Sequence, residues 1–131
     1  ALTSGFFAVS HATTPNSTAL STISIGLAGI FLALAYVLTG QLALPIGIHI
    51  AWNFFEGNLY GFPISGSGTT SVLQIRQAGP DLITGGAFGP EAGLLGIGAI
   101  LLGMAVTVVW ARYYRGNSGI DPTITVAELR G

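Results

Sequence analysis

The first 55 residues of this 131-residue chain contain no Asp, Glu, Lys or Arg, and the first charged side chain is that of Glu56. Within that part, the apolar stretch Ala19–Thr39 is about 31 Å long as a helix, which matches a hydrocarbon core of about 30 Å. Soluble domains carry about 25% charged residues, whereas this chain carries 7%. The sequence therefore predicts an all-α protein, a polytopic bundle of transmembrane helices.

Helix-starting and helix-breaking residues flank this first span. Residues 12–17 are rich in turn and cap residues, so a helix is expected to begin near Thr18, and residues 1–11 are expected to be the end of an earlier helix. A break at Gly40–Gly47, which contains Pro45, is expected to separate the span from a second apolar helix at about Ile46–Tyr60. These residues predict two helices on either side of the long apolar one.

The second half of the chain contains a broken segment and a last span. Gly61–Pro90 is rich in Gly and Pro, and within it only Ser71–Gln77 has a weak strand pattern. The last span is expected to begin at Pro90 and Glu91, where a carboxylate complements the helix dipole, and to reach about Tyr114. Small residues are expected to let these helices pack closely: Gly26, Gly29, Gly93, Gly96 and Gly98.

The charges that are present predict an orientation and a boundary. Arg112 and Arg115 close the last span, so the positive-inside rule places the C-terminus in the cytoplasm. The sequence predicts a transmembrane core over residues 1–115 and a polar cytoplasmic tail over residues 116–131. It begins with Ala1 and lacks the basic start of a signal peptide, so we expect it to open inside a larger protein.

Composition also limits the partners and the kinds of site. The net charge of -1 and the four scattered Arg residues with no Lys provide no basic surface for nucleic acid. With no Cys, a metal would have to be held by His, Asn, Asp or Glu. The expected partners are membrane lipid and a protein or peptide substrate.

His49 and Asn53 are the most informative pair of polar residues, because a spacing of four places them on one face of a helix, one turn apart. Together they can bind an ion or a water molecule. His11 is the only other histidine and would supply a third ligand, as catalytic metal sites require. Each of the three also has a simpler explanation, as a buried polar group that bonds a neighbouring helix or as a solvated helix end.

Two short motifs and their surroundings resemble a family of intramembrane proteases. Residues 7–11, Phe-Ala-Val-Ser-His, look like an FxxxH motif, and residues 49–53, His-Ile-Ala-Trp-Asn, look like an HxxxN or HxxxD motif. These are the second and third motifs of the CAAX-protease and bacteriocin-processing (CPBP) family. The flanking segments Tyr36–Gly40, Leu44–His49 and Gly85–Glu91 are similar as well, so the resemblance covers most of residues 5–105.

The resemblance implies a metalloendopeptidase that cleaves membrane-associated, in some cases prenylated, proteins or peptides. His11, His49 and Asn53 would be the catalytic residues, and they would hold a divalent ion, zinc, or orient the attacking water directly. The first family motif, EExxxR, supplies the general base and is absent from these residues, so this chain is expected to be inactive alone. Glu56 is a weaker candidate for the base, because a pairing role is commoner at such a position.

Two other functions remain open from the sequence. The first is a non-catalytic membrane protein of the same fold, such as a bacteriocin-immunity factor or a scaffold, and the second is a transporter fragment. A shared site also requires His11 and His49 to meet, although a full crossing by Ala19–Thr39 would put them near opposite membrane faces. A re-entrant Gly40–Gly47 segment or a strong helix tilt would bring them together.

Overall fold

The computed structural model describes residues 2–116 and 119–125. Predictions for residues 1, 117–118 and 126–131 fall outside these ranges. Within them the chain contains no strand, and the predicted all-α fold is confirmed. The α-helices are α1 (Leu2–His11), α2 (Ala19–Thr39), α3 (Ala43–Asn53), α4 (Asp81–Thr84), α5 (Leu94–Tyr114) and α6 (Pro122–Thr125).

The long helix α2 has the bounds that the apolar stretch predicts, and capping groups fix both of its ends. Thr18 is the N-cap: its hydroxyl accepts the Ser21 N–H at 3.0 Å, and the Ser21 hydroxyl accepts the Thr18 N–H at 2.7 Å. This reciprocal capping box satisfies donors that a helix start leaves without partners. At the other end, Gly40 adopts φ +65° and its N–H donates to the Tyr36 carbonyl, which stops the helix.

The next helix, α3, begins earlier than predicted. The break after α2 comprises only residues 40–42, and Pro45 is the third residue of α3. A proline is tolerated there because the first N–H groups of a helix have no intrahelical acceptor. After Asn53 the backbone continues as a wider π-helical turn at Phe54–Leu59, so the predicted single helix Ile46–Tyr60 is an α-helix followed by this turn. Such turns are frequent at functional sites.

The Gly-rich segment after this turn folds over one end of the bundle without forming a strand. The weak strand prediction for Ser71–Gln77 is wrong, because these residues donate backbone hydrogen bonds back to the π-helical turn: Val72 to Asn58 and Leu73 to Leu59. The segment instead includes α4 and a short 3₁₀ turn at Gly86–Phe88. It brings Phe88, which is 1% exposed, against Ile25 and Ala92 in the core of the molecule.

The last long helix, α5, begins later than predicted. Pro90–Ala92 is a separate 3₁₀ turn, and Gly93, with an extended backbone, is the N-cap of α5. The close approach expected of the small residues occurs at Gly29, which faces Ser4 of α1, but Gly98 has no neighbour within 4 Å. Among the described residues, α2 and α5 are the two helices long and apolar enough to cross a membrane.

The order of packing brings the early helices to one place. α2 contacts α1 on one side and α3 and α5 on others, and the short connections make α1, α2 and α3 successive antiparallel neighbours. Since α3 returns along α2, His49 reaches the level of Ala28 and Leu32 near the middle of α2. A re-entrant break is therefore not needed to bring His49 toward His11.

Part of the predicted tail packs against the end of α2. The Asp121 N–H donates to the Val37 carbonyl at 2.8 Å, and the Arg115 guanidinium donates to the Thr39 carbonyl at 3.0 Å. Arg115 also lies 3.6 Å from the Asp121 carboxylate. Hydrogen bonds from Thr123, with a smaller contribution from the Arg115 charge, lower the pKa of Asp121. Residues 119–125 thus form a structured cover on α2.

Candidate functional site

His11, His49 and Asn53 line one cavity of about 390 Å³ between α1, α2, α3 and α5. Most of its wall is apolar, and its polar lining comes from α1 and the turn after it, α2, α3, the Gly-rich loop and the turn before α5. The Phe7 ring contacts both imidazoles, with ring centroids 4.6 Å from His11 and 5.9 Å from His49. The fold therefore brings the three predicted site residues together, while their catalytic and metal-binding roles remain predictions.

His11 is oriented by the last turn of α1. Its Nδ1 lies 2.7 Å from the Phe7 carbonyl oxygen and 3.2 Å from the Ser10 hydroxyl. A carbonyl only accepts, so this geometry requires a proton on Nδ1. Nε2 is then the ring atom that can accept a proton, hold a water molecule or bind an ion. A backbone carbonyl that fixes the tautomer in this way is typical of functional histidines.

His49 and Asn53 come from one face of α3, one turn apart. The His49 ring meets the Phe7 ring edge-on, at an interplanar angle of 84°. Asn53, half-buried, is the last residue of α3, directly before the π-helical turn. His49 is exposed in this chain, so its imidazole is accessible from outside the bundle.

The donor set decides whether a divalent ion fits. Among residues 2–116 and 119–125, no three His, Cys, Asp or Glu side chains are grouped to hold a metal ion. An ion here would need the Asn53 amide oxygen as its third ligand, beside the two imidazoles. Nitrogen and oxygen ligands of this kind suit zinc, and the fixed Nδ1 proton of His11 leaves Nε2 available. The residues present therefore fit such an ion.

Glu91 is a functional candidate that sequence reasoning placed differently. It was expected to complement the dipole of the last helix, but its buried carboxylate lines the same cavity and accepts three hydrogen bonds. Oε1 accepts from the Trp52 indole at 3.2 Å, and Oε2 accepts from the N–H and hydroxyl of Ser65, both at 2.8 Å. Hydrogen bonds to charged groups contribute about 1.5–3 kcal/mol each. The Ser-Gly pair at 65–66 is a turn signal, but nothing local in the sequence links it to Glu91.

Glu56 does not belong to this cavity. It lines a separate apolar groove of about 430 Å³, together with Trp52 and Pro90. The carboxyl group is buried and neither oxygen has a hydrogen-bond partner. Burial, and secondly the charge of Glu91, raises the pKa of Glu56 to about 9. A protonated acid outside the histidine cavity is poorly placed to activate water there.

Comparison with known proteins yields one family match. Residues 1–55 match the family model described as type II CAAX prenyl endopeptidase Rce1-like. No curated protein and no solved structure gives a significant match to the chain. The matched range contains His11, His49 and Asn53, while the similarity predicted for residues 56–105 lies outside it.

The match over residues 1–55 supports a CAAX protease-type fold, and the two long apolar helices, together with the match, indicate an integral membrane protein. Residues 1–55 are thus an Rce1-like segment, and the predicted resemblance to the CAAX-protease family is confirmed there.

Proposed function

We propose that this chain is part of an intramembrane endopeptidase that hydrolyses peptide bonds of membrane-associated, in some cases prenylated, proteins or peptides. One observation carries the proposal: the three polar residues of the two family-like motifs, His11, His49 and Asn53, line a single cavity, and all three fall within the Rce1-like segment. Placing polar side chains inside a membrane costs free energy, so such side chains mark functional sites by default.

The chemistry follows from the side chains at the cavity. Nε2 of His11 and the His49 imidazole would hold the attacking water, the Asn53 amide would orient it, and a glutamate base would accept its proton. The resemblance places the glutamate base in a segment before residue 1, so the assay uses a protein that includes it.

A divalent ion, zinc, would be held by the two imidazoles and the Asn53 amide oxygen. When bound, such an ion lowers the pKa of a water ligand to about 7 and polarises a carbonyl. We also propose that the protein acts in a bacterial plasma membrane, with its C-terminus in the cytoplasm. Lipid would then surround α2 and α5.

The decisive test is His49→Ala in the purified protein, assayed by cleavage of a membrane-delivered peptide. We expect hydrolysis to fall by at least about 10²-fold, as for loss of a catalytic acid–base group. Asn53→Ala should lose about 10–100-fold, as for a residue that orients a ligand. Both variants should insert and unfold thermally like the parent, because they support water or an ion and not the packing of the bundle.

Ile50→Ala is the matched control, because Ile50 follows His49 on α3, is exposed and does not line the cavity. It should retain full activity. Full activity of the His49 variant would end the protease proposal for this cavity. An inactive parent protein with intact folding would favour the non-catalytic alternative, an immunity factor or scaffold.

A further inference from the structure

Glu91 joins three parts of the chain that are distant in sequence. It lies in the 3₁₀ turn Pro90–Ala92 before α5, and its two carboxylate oxygens bind different elements. Oε1 accepts the Trp52 indole N–H of α3, and Oε2 accepts both donors of Ser65 in the loop. The side chain is 8% exposed, so solvent cannot replace these contacts freely. One carboxylate therefore sets the distance between α3 and the loop.

Ser65 is held in a backbone conformation that serine rarely adopts. Its φ is +46°, and residues held in such strained regions cluster at functional sites. The two hydrogen bonds to Glu91 fix this conformation. Ser65 and its neighbours Ile64 and Ser67 line the cavity that contains His11 and His49. The strained residue thus forms part of the cavity wall.

Trp52 is the wall between the two cavities of the molecule. It lines the 390 Å³ cavity with His49 and Asn53, and it also lines the 430 Å³ apolar groove with Glu56. In sequence it follows His49 by three residues, so the two side chains are neighbours on one face of α3. A rotation of the indole would therefore alter the space next to His49 and the shape of the cavity that Asn53 also lines.

We propose that Glu91 is a positioning residue, whose carboxylate clamps the Trp52 indole and the Ser65 loop so that they enclose the cavity of His11, His49 and Asn53. Its meaning for catalysis rests on the proposed function, while the clamp itself is a property of the folded chain. Glu91 acts through Trp52 and Ser65 and need not touch substrate. Glutamine cannot replace it, because an amide NH₂ would face either the indole N–H or the Ser65 N–H, donor against donor.

The clamp can be measured without catalysis, because the chain has only two tryptophans, Trp52 and Trp110. The chain is labelled with 5-fluorotryptophan in detergent micelles, and Trp110→Phe assigns the two fluorine signals. Glu91→Gln should shift and broaden the Trp52 signal and leave that of Trp110, near the end of α5, in place. Unchanged signals, or equal changes in both, would overturn the clamp.

Hydrogen exchange in the unmodified chain tests the clamp even if the Glu91 variant does not fold. The indole N–H of Trp52 donates to a buried carboxylate, so its hydrogen exchange should be slower than that of Trp110. Equal exchange at the two indoles would also contradict the clamp.

In the active protein, the clamp predicts a particular kinetic pattern. Glu91→Gln should lower kcat by roughly ten- to a hundredfold, as a small misplacement of catalytic groups does, with a smaller change in KM. Trp52→Phe removes the indole donor but keeps an aromatic wall, and the double variant should lose less than the product of the two single losses. Wild-type kcat in Glu91→Gln, or independent losses in the double variant, would refute the positioning role.

Together these experiments distinguish failure of the clamp from failure of the proposed function. If the tryptophan signals respond as expected but the parent cleaves no peptide, the clamp stands and the protease proposal fails. If the parent cleaves peptides and Glu91→Gln changes neither the signals nor kcat, the clamp alone fails.

Discussion

Glu56 is a buried carboxylic acid of the π-helical turn, next to Gly89, and its oxygens have no hydrogen-bond partner. Its pKa in the folded chain, about 9, lies above the ordinary value of 4.5. The folded state therefore binds the proton more tightly than the unfolded state. The contribution of Glu56 to stability is therefore largest below pH 4.5 and falls as the pH rises toward 9, by at most about 1.4 kcal/mol per pH unit.

We predict that Glu56→Gln removes most of this pH dependence. At pH 8 the variant should be more stable than the parent by on the order of 1–3 kcal/mol, because an amide carries no proton to be lost. Thermal unfolding at pH 5 and pH 8 measures the difference. Ile50→Ala, at an exposed residue without a titratable group, is the control and should keep the slope of the parent.

The same variant tests where the general base lies. Glu56→Gln should leave most peptide hydrolysis intact, since Glu56 lines the apolar groove and not the histidine cavity. Loss of activity in this variant, with the fold preserved, would make Glu56 the base and would contradict our assignment.

At the scale of helices, α5 offers two glycines with opposite surroundings. A Cβ on Gly96 would overlap the backbone carbonyl of Pro90, whereas a Cβ on Gly98 would meet nothing within 4 Å. The backbone around Pro90 cannot move without disturbing the turn that carries Glu91. Gly96 is thus needed for close approach, and Gly98 is not.

We therefore predict opposite effects of two identical substitutions two residues apart. Gly96→Ala should destabilise the chain by about 1–3 kcal/mol, as overpacking does, while Gly98→Ala should be neutral or stabilise by up to about 1 kcal/mol through helix propensity. Thermal unfolding in one detergent compares them directly. Equal effects of the two substitutions on stability would mean that the Pro90–Ala92 turn shifts readily to accommodate a Cβ at position 96.

How far the sequence predicts these elements depends on how local the cause is. The bounds of α2 follow from an apolar run and adjacent caps, so they could be predicted residue by residue. The early start of α3 and the late start of α5 depend on the backbone conformation of one residue each, Pro45 and Gly93. The pattern of apolar residues does not determine that conformation. The meeting of His11 and His49 could be predicted only as a possibility, because it requires α3 to return along α2.

The hydrogen bonds that Glu91 accepts from Trp52 and Ser65 could not be predicted from the sequence. The contact of Glu91 with Trp52 spans 39 positions, and that with Ser65 spans 26. No periodicity links residues in a helix, a loop and a turn at such separations. The dipole role expected for Glu91 was a local explanation, and the fold used the carboxylate for long-range hydrogen bonds.

For the molecule as a whole, the arginines after α5 predict the orientation in the membrane. A reporter fused after residue 131 should be cytoplasmic, and one inserted near Gly68 should lie on the opposite side, because cytoplasmic flanks are enriched in Arg and Lys. Trp110 and Tyr113, exposed near the end of α5, suit the interface on the Arg side. The reverse pattern would overturn the orientation and leave the fold unchanged.

The cover that residues 119–125 place on α2 has a consequence for biosynthesis. The carbonyls of Val37 and Thr39 belong to the last turn of α2 and lack intrahelical partners, and they receive the Asp121 N–H and the Arg115 side chain. A ribosome makes those donors some 80 residues after α2. During translation α2 enters the bilayer with this end unfinished, and its cap is completed only when the segment after α5 has emerged.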